Sequence, residues 1–531
     1  MHFCNKEISG PFTIPSGIVA TEVSVLEKIA NEVPEVGILT TKSIGLKRRK
    51  GNREPIIAQY NSGSFVNAVG LTNPGADVFA EKLSKISIPE NKFLLCSIFG
   101  NSAEEFSKVA EILYESADGF ELNLSCPHAE KYGQAIGQDK ELIYKIIKKV
   151  SSIGKPVFAK ISPNLDVKET VGCCIESGVS GITAINTVGP GLHLNDGLPV
   201  LSNKVGGISG KAILPIGLKC IKEIREITDL PIIACGGISN AGDVENYKKL
   251  GANFFGIGSA LAGMSIGDIK NYFSELSRDL KEKTNNAEGL LKSNLNMNYR
   301  KYLVKENRNL TDDLFMLKFE NNMEIEPGQF IFAHLPEKGE KPFSVFDNTP
   351  LTLMIRKVGC FTEELSKLKR GDFINIRGPY GVSLNPKGKL LLVGGGTGIA
   401  SLLLFAKRNK NAVILIGVKD KSYLPCIAKF NSVCKNIYIA TDTGEIGHKG
   451  FAVDLLEDIL EKEKPDYCIN CGPKIMIEKS IELELKYLKP DQIYSSIDFI
   501  TKCGIGLCGS CASSKGCRSC VDGPFLNPNQ L

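Results

Sequence analysis

No uninterrupted apolar stretch in this sequence approaches the roughly 20 residues that a helix needs to cross a bilayer, so no membrane span is expected. No run of lysine and arginine is longer than Lys47-Arg48-Arg49-Lys50, and a net charge of +5 is mild for 531 residues. That argues against nucleic acid as a partner. The opening residues, MHFCNKEISGPFTIPSG, lack a basic start followed by an apolar core, so no signal peptide is expected. Tryptophan is absent, but 43% hydrophobic and 23% charged residues make the composition that of a globular chain. At this length one hydrophobic core is not enough, and two to four domains are expected. The 17 cysteines are mostly single and scattered, which predicts a reducing cytoplasm rather than a disulfide framework. One stretch breaks the scatter. CGIGLCGSCASSKGCRSC, 503–520, places five cysteines in eighteen positions, and metal is the leading explanation.

Short β-rich runs recur along the first half: IPSGIVA (14–20), VGILTTKS (36–43), FLLCSIFG (93–100), GFELNLSC (119–126), PVFAKIS (156–162), GITAINT (181–187), PIIACGG (231–237) and FFGIGSA (254–260). Between them lie amphipathic segments such as 139–152 and 216–228, with apolar residues at helical spacing. Eight such units in about 280 residues fit the rhythm of an α/β fold of the (β/α)8 barrel type. A doubly wound open sheet is the competing arrangement.

In such barrels chemistry sits where strands end. Here the runs end at Ser16, Lys42 and Ser43, Asn101, Asn123 and Cys126, Lys160, Asn186 and Thr187, Gly236 and Gly237, and Gly258 and Ser259. The glycines after the last two runs would let backbone N–H groups approach a phosphate, predicting a phosphate-bearing cofactor there. Cys96, Cys173, Cys174, Cys220 and Cys235 read as inert core thiols.

The motifs ELNLSCPH (121–128), AKISPN (159–164), INT (185–187), GGISGKAILPIGL (206–218) and NAVGLTNPG (67–75) resemble dihydroorotate dehydrogenases of the FMN-containing class that uses a cysteine base. The resemblance covers residues 1–280. It implies oxidation of dihydroorotate to orotate, the redox step of pyrimidine synthesis, in the cytoplasm and by a homodimer paired through its barrels. It makes Cys126 the base and Lys160 the cation beside the flavin. Substrate would be held by Lys42, Asn67, Ala68, Val69, Gly70, Leu71, Asn123, Asn186 and Thr187. FMN would contact Ser16, Lys42, Ser43, Asn101, Asn123, Lys160, Ile185, Gly210, Gly236, Gly237, Gly258 and Ser259. The chemistry of the side chains agrees. A thiol with a tuned pKa can take an acidic C–H proton, a lysine can stabilise negative charge, and a planar carboxylated ring needs amide donors and acceptors. A histidine after Pro127 and an alanine at position 20 depart from the family's usual residues.

Residues 281–298 are polar and lack a periodic pattern, and read as a linker. Short β runs then predict a small antiparallel barrel over 299–388. KLLLVGGGTGIASLLLFAKR (389–408) reads as a strand, a glycine turn and a helix, opening an α/β domain over 389–490; the turn is not a proper G-x-G-x-x-G. Residues 491–531 would form a cysteine-rich domain. This order resembles the ferredoxin-reductase superfamily, and more narrowly the electron-transfer subunit that partners NAD-linked dihydroorotate dehydrogenases, over 299–531. The resemblance implies FAD held by Lys341, Pro342, Phe343 and Ser344, where lysine stands for the usual arginine and loses its two-pronged grip on phosphate. It implies NAD+ at Gly394, Gly395, Gly396, Thr397 and Gly398, with Cys471 beside the nicotinamide. KVGCFT (357–362) departs from a more glycine-rich family segment.

Cys503, Cys508 and Cys511 are spaced C-x4-C-x2-C, the plant-type [2Fe–2S] arrangement, whereas zinc usually takes paired knuckles. The fourth ligand is Cys517 or Cys520 by position. The partner family's ligand lies just before DGP, which selects Cys520 and leaves Cys517 as an extra thiol. The expected protein joins two usually separate subunits and passes electrons from FMN through the cluster and FAD to NAD+. The alternatives are a related dihydropyrimidine dehydrogenase, or a general electron-transfer module fused to a degenerate barrel.

Overall fold

Runs of β-branched and aromatic residues, each followed by a segment apolar on one side only, build the first half of the chain. The computed structural model describes residues 1–124, 139–287, 295–497 and 499–531. Two units emerge: Met1–Leu295 with Ile505–Ala512, and Asn296–Gly504 with Ser513–Leu531.

In the first unit eight strands run parallel: β1 (Phe12–Thr13), β2 (Val36–Thr40), β3 (Phe93–Ile98), β4 (Gly119–Asn123), β5 (Val157–Ile161), β6 (Gly181–Ala184), β7 (Ile232–Cys235) and β8 (Phe254–Gly256). They pair in chain order around a closed ring. Phe255 on β8 stands opposite Phe12 on β1, the pairing that an open sheet would lack. The first strand is the one misplaced by the sequence pattern. It lies at Phe12–Thr13, and 14–20 is loop, because Pro15 has no N–H for a ladder.

The helices follow from their apolar spacing. Lys140–Ser151 buries Ile143, Ile146, Ile147 and Val150 on one face, and the Asp139 carboxylate accepts from the Leu142 N–H at 2.9 Å to cap it. The helix Ile266–Glu282 runs into the stretch read as a linker. Beyond it, the Asp279 carboxylate accepts from the Ala287 N–H at 2.7 Å.

The barrel interior changes character along its axis. At the N-terminal end Phe3, carried by the short His2–Phe3 strand, packs against the rings of Phe93, Phe158 and Phe254. Toward the C-terminal end the inward positions become Ser97, Glu121, Asn123 and Lys160, all buried. Side chains two apart on a strand share a face, so Glu121 and Asn123 both point in. A four-stranded antiparallel sheet (Ile57–Asn61, Ser64–Asn67, Val188–Leu192, Val205–Gly210) is built from the chain that follows β2 and β6.

The second unit holds two sheets. Strands β9 (Arg300–Asn309), β10 (Leu314–Phe319), β11 (Phe330–Leu335), β12 (Gly339–Ser344), β13 (Asp347–Asn348), β14 (Leu351–Arg356) and β15 (Phe373–Tyr380) form an antiparallel sheet ordered β12-β11-β15-β9-β10-β14-β13. Strands β16 (Leu390–Gly395), β17 (Val413–Val418), β18 (Asn436–Thr441), β19 (His448–Lys449), β20 (Tyr467–Cys471) and β21 (Ile493–Ser496) form a parallel sheet ordered β19-β18-β17-β16-β20-β21. Among the described residues no helix is long and apolar enough to cross a membrane.

Candidate active site

Strand register brings the polar residues of the barrel together. Ser97 stands opposite Glu121, Asn123 opposite Lys160, and Lys160 opposite Thr183. Lys160 and Glu121 are 5% and 2% exposed, with Nζ 3.5 Å from Oε1, and Lys160 Nζ also donates to Ser16 Oγ at 2.8 Å. Ser97 Oγ donates to Glu121 at 3.0 Å. A hydroxyl has one proton, so in the 2.9 Å contact of Ser43 with Ser97 it is Ser43 that donates. Ser43 in turn accepts from Asn123 Nδ2 at 3.0 Å. The chain Asn123 to Ser43 to Ser97 therefore runs in one direction and ends on the Glu121 carboxylate. It fixes the Asn123 amide, whose oxygen accepts from Asn186 Nδ2 at 3.4 Å. The Asn186 oxygen accepts from the Thr187 N–H at 2.9 Å.

All of these groups but Ser97, Glu121 and Thr183 open onto one cavity at the C-terminal rim. Of the residues the sequence singled out, Ser16, Lys42, Ser43, Asn123, Lys160, Ile185, Asn186 and Thr187 line it. So do Asn67, Val69, Gly70, Leu71, Gly210, Gly236, Gly237, Gly258 and Ser259. The 67–75 segment is held in shape by its own polar groups: Asn73 Nδ2 donates to the Leu71 carbonyl at 2.9 Å, and its oxygen accepts from the Gly75 N–H at 2.9 Å. Gly237 has φ +78°, and a Cβ there would lie 2.8 Å from Leu214 Cβ and 3.0 Å from the Gly210 carbonyl. Only glycine fits that turn.

Two expected residues stand elsewhere. Asn101 is exposed, and its N–H donates to the Glu105 carboxylate at 2.8 Å, because the chain is already entering the helix Ala103–Leu113. Ala68 is buried beneath the cavity wall, its N–H donating to the Ile56 carbonyl at 2.8 Å. Cys126, expected as the base, lies outside the described residues.

Other residues in or behind the cavity wall carried no functional expectation. Glu121 was legible in principle as a charge two positions from Asn123 within an apolar strand. Cys235, read as a core thiol, borders the cavity, and burial pushes it up to about 12, so it stays protonated and is no base. Cys173 is half-exposed rather than core. Leu507 and Cys508 also line the cavity, and no local pattern announces that.

A model of the dihydroorotate dehydrogenase family matches residues 1–280. The chain belongs to this family. The NAD+-dependent dihydroorotate dehydrogenase B catalytic subunit of Methanocaldococcus jannaschii is 39% identical over 287 residues, covering 53% of this chain and 93% of that one. The corresponding subunit of Pyrococcus abyssi is 38% identical over 282 residues, covering 52% and 92%. A solved NADH-dependent reduced ferredoxin-NADP oxidoreductase overlays with a TM-score of 0.40 and 31% identity, covering 43% of this chain and 88% of that one, a likeness too low to bear on function. The dihydroorotate dehydrogenase resemblance read from the sequence motifs holds for the barrel.

In the second unit, the parallel sheet reverses its strand order between β16 and β20, the position where open α/β sheets form a ligand crevice. Gly394 to Gly398 leave β16 there, and Cys471 ends β20. A Cβ on Gly398 would lie 2.3 Å from the Cys471 carbonyl oxygen. Lys341, Pro342, Phe343 and Ser344 lie on the edge strand β12, with Lys341 and Ser344 exposed. On the same strand Glu340 forms a fully buried two-pronged pair with Arg377 of β15 at 2.6 and 2.7 Å, and Arg377 Nη1 donates to the Cys503 carbonyl at 3.1 Å.

Cys508 and Cys511 belong to the first unit; Cys503, Cys517 and Cys520 belong to the second. All five are buried, and none is in a disulfide. Among the described residues no three or more His, Cys, Asp or Glu side chains converge on a single-ion site.

Proposed function

We propose that this chain oxidises (S)-dihydroorotate to orotate, the redox step of pyrimidine synthesis, and delivers the electrons to NAD+. The carrying observation is the buried Lys160, held by Ser16 and Glu121 in a rim cavity lined by amides, on a chain of the dihydroorotate dehydrogenase family. The cavity suits FMN. It offers a cation, fixed amides and hydroxyls, and the glycine turns at 236–237 and 258–259 where backbone can approach a phosphate. When bound there, FMN supplies the hydride acceptor for the substrate's C6 hydrogen. The residues do the rest. Lys160 brings its ammonium group to the wall, which favours negative charge developing beside it. Asn123 and Asn186, oriented by the hydroxyl chain, present fixed donors and acceptors to a planar ring. Cys126, assigned by family resemblance, takes the C5 proton.

The rest of the electron path is proposed from the donor chemistry. Cys503, Cys508, Cys511 and Cys520 offer four buried thiols, none in a disulfide, the first three at plant-type spacing. A binuclear cluster asks only two of them for each iron, so no single-ion site is required. Lys341 and Ser344 offer an exposed cation and hydroxyl for FAD, with Pro342 and Phe343 between them. The crevice between β16 and β20 offers Gly394–Gly398 to NAD+. FMN and FAD each handle one or two electrons, so they can join hydride chemistry at either end to a one-electron cluster between them. The barrel over 1–280, a linker over 281–298, an FAD domain over 299–388, a NAD domain over 389–490 and a cluster domain over 491–531 remain the proposed division. A cytoplasmic homodimer paired through the barrels completes it.

Anaerobic addition of dihydroorotate to the full chain loaded with flavins and iron tests this. Both flavins and the cluster should bleach, and NAD+ should recolour them. Bleaching of FMN alone would refute the path; strict preference for dihydrouracil would refute the substrate.

A further inference from the structure

The segment Ile505–Ala512 is part of the first unit and is tied to the loop that follows β1. The Val19 N–H donates to the Leu507 carbonyl at 2.7 Å, and the Gly263 N–H to the Ile505 carbonyl at 2.9 Å. The Thr21 hydroxyl donates to the Cys508 carbonyl at 2.9 Å, in a fully buried contact between residues 487 positions apart. Gly509, at φ +65°, lies so close that a Cβ would stand 1.9 Å from Thr21 Oγ1. These three loop contacts leave the segment's carbonyls at 505, 507 and 508 satisfied by the barrel rather than by water. Their result is that Leu507 and Cys508 form part of the cavity wall. Thr21 itself does not line the cavity.

We propose that Thr21 and Gly509 form a latch that holds Leu507 and Cys508 in the wall, making Thr21 a positioning residue for electron exit rather than for substrate oxidation. The inference rests on the reading of the cavity as the flavin site and of Cys508 as a cluster ligand. The latch makes and breaks no covalent bond. Its hydroxyl proton stays on Thr21, and its role is to keep the Cys508 sulfur beside the cavity from which electrons leave.

The test uses the full, cofactor-loaded chain with Thr21→Val, Thr21→Ser and Gly509→Ala. Valine keeps the shape of threonine but leaves the buried Cys508 carbonyl without its donor, which raises local opening roughly tenfold. Amide hydrogen exchange across 505–512 should accelerate by that factor in Thr21→Val and stay at the wild-type rate in Thr21→Ser. In Gly509→Ala the latch cannot close. Dihydroorotate should still reduce the cavity flavin at the wild-type rate, while reoxidation of that flavin by NAD+ is lost. Unchanged exchange in Thr21→Val overturns the latch. So does an equal fall of both half-reactions in Gly509→Ala, which would mean a distorted cavity. Failure of dihydroorotate to reduce the wild-type flavin would instead overturn the functional reading, and the exchange comparison would still decide the latch.

Discussion

The pair Lys160–Glu121 separates a structural from a catalytic role in one experiment. At 3.5 Å and an effective dielectric constant of about 20, their attraction is about 5 kcal/mol. Removing one partner of such a buried pair costs about 3–5 kcal/mol, because the other charge is left uncompensated. Lys160→Met and Glu121→Gln should each lower the unfolding free energy of the barrel by about that much. The double variant removes both charges and should recover most of the loss, giving a coupling energy of about 2 kcal/mol or more. Rate behaves differently. Losing a preorganised charge that stabilises a developing anion slows chemistry by about a hundredfold or more. Lys160→Met should therefore slow flavin reduction by dihydroorotate to that extent, and the double variant should stay equally slow despite its recovered stability. Urea denaturation and anaerobic stopped-flow absorbance supply the two readouts. A double variant that reduces its flavin at the wild-type rate would refute the role of the lysine charge. Additive stability losses would refute the pair.

The remaining predictions concern the second unit and the cysteines. Cys520→Ser should abolish the visible absorption of the cluster, whereas Cys517→Ser should keep it; the reverse pattern makes Cys517 the ligand. Burial pushes Glu484 up to about 8 from 4.5. Between those values the native state keeps a proton that the unfolded chain releases, so stability falls as pH rises through that window, by about 3 kcal/mol at pH 7. Glu484→Gln should remove the slope, and urea midpoints that track wild type from pH 5 to 8 would show the assignment to be wrong. Gly398→Ala forces a methyl against the Cys471 carbonyl. It should destabilise the turn by about 1–3 kcal/mol and cut NAD+ reduction without changing flavin reduction by dihydroorotate; unaltered NAD+ reduction would clear this turn of a role.

Much of the barrel was legible because its signals are local. Seven of the eight strand runs lie where β-branched density put them, and the helix over 140–151 follows from Ile143, Ile146, Ile147 and Val150 at helical spacing. The strand-end rule brought Ser16, Lys42, Ser43, Asn123, Lys160 and Asn186 to one cavity. It failed at Asn101, where the chain is already turning into a helix capped by Ser102. It also passed over Glu121, because the rule reads only strand ends and Glu121 lies two positions before Asn123, inside the strand. Cys126, the residue the sequence singled out most strongly, falls among residues the structure does not describe.

By itself the sequence determined the alternation of strand and helix, the polar rim, and the spacing of the terminal cysteines. Each is a pattern within a few residues, governed by backbone period and side-chain type. Only the tertiary structure decided which rim groups meet. The register of β3, β4 and β5 sets Ser97 beside Glu121 and brings Lys160 within 3.5 Å of the Glu121 carboxylate. It also decided that Ile505–Ala512 joins the barrel's unit, through a threonine hydroxyl hundreds of positions away. Contacts of that kind depend on how a closed ring aligns its strands and which distant carbonyls then lack a donor. No local window contains that information.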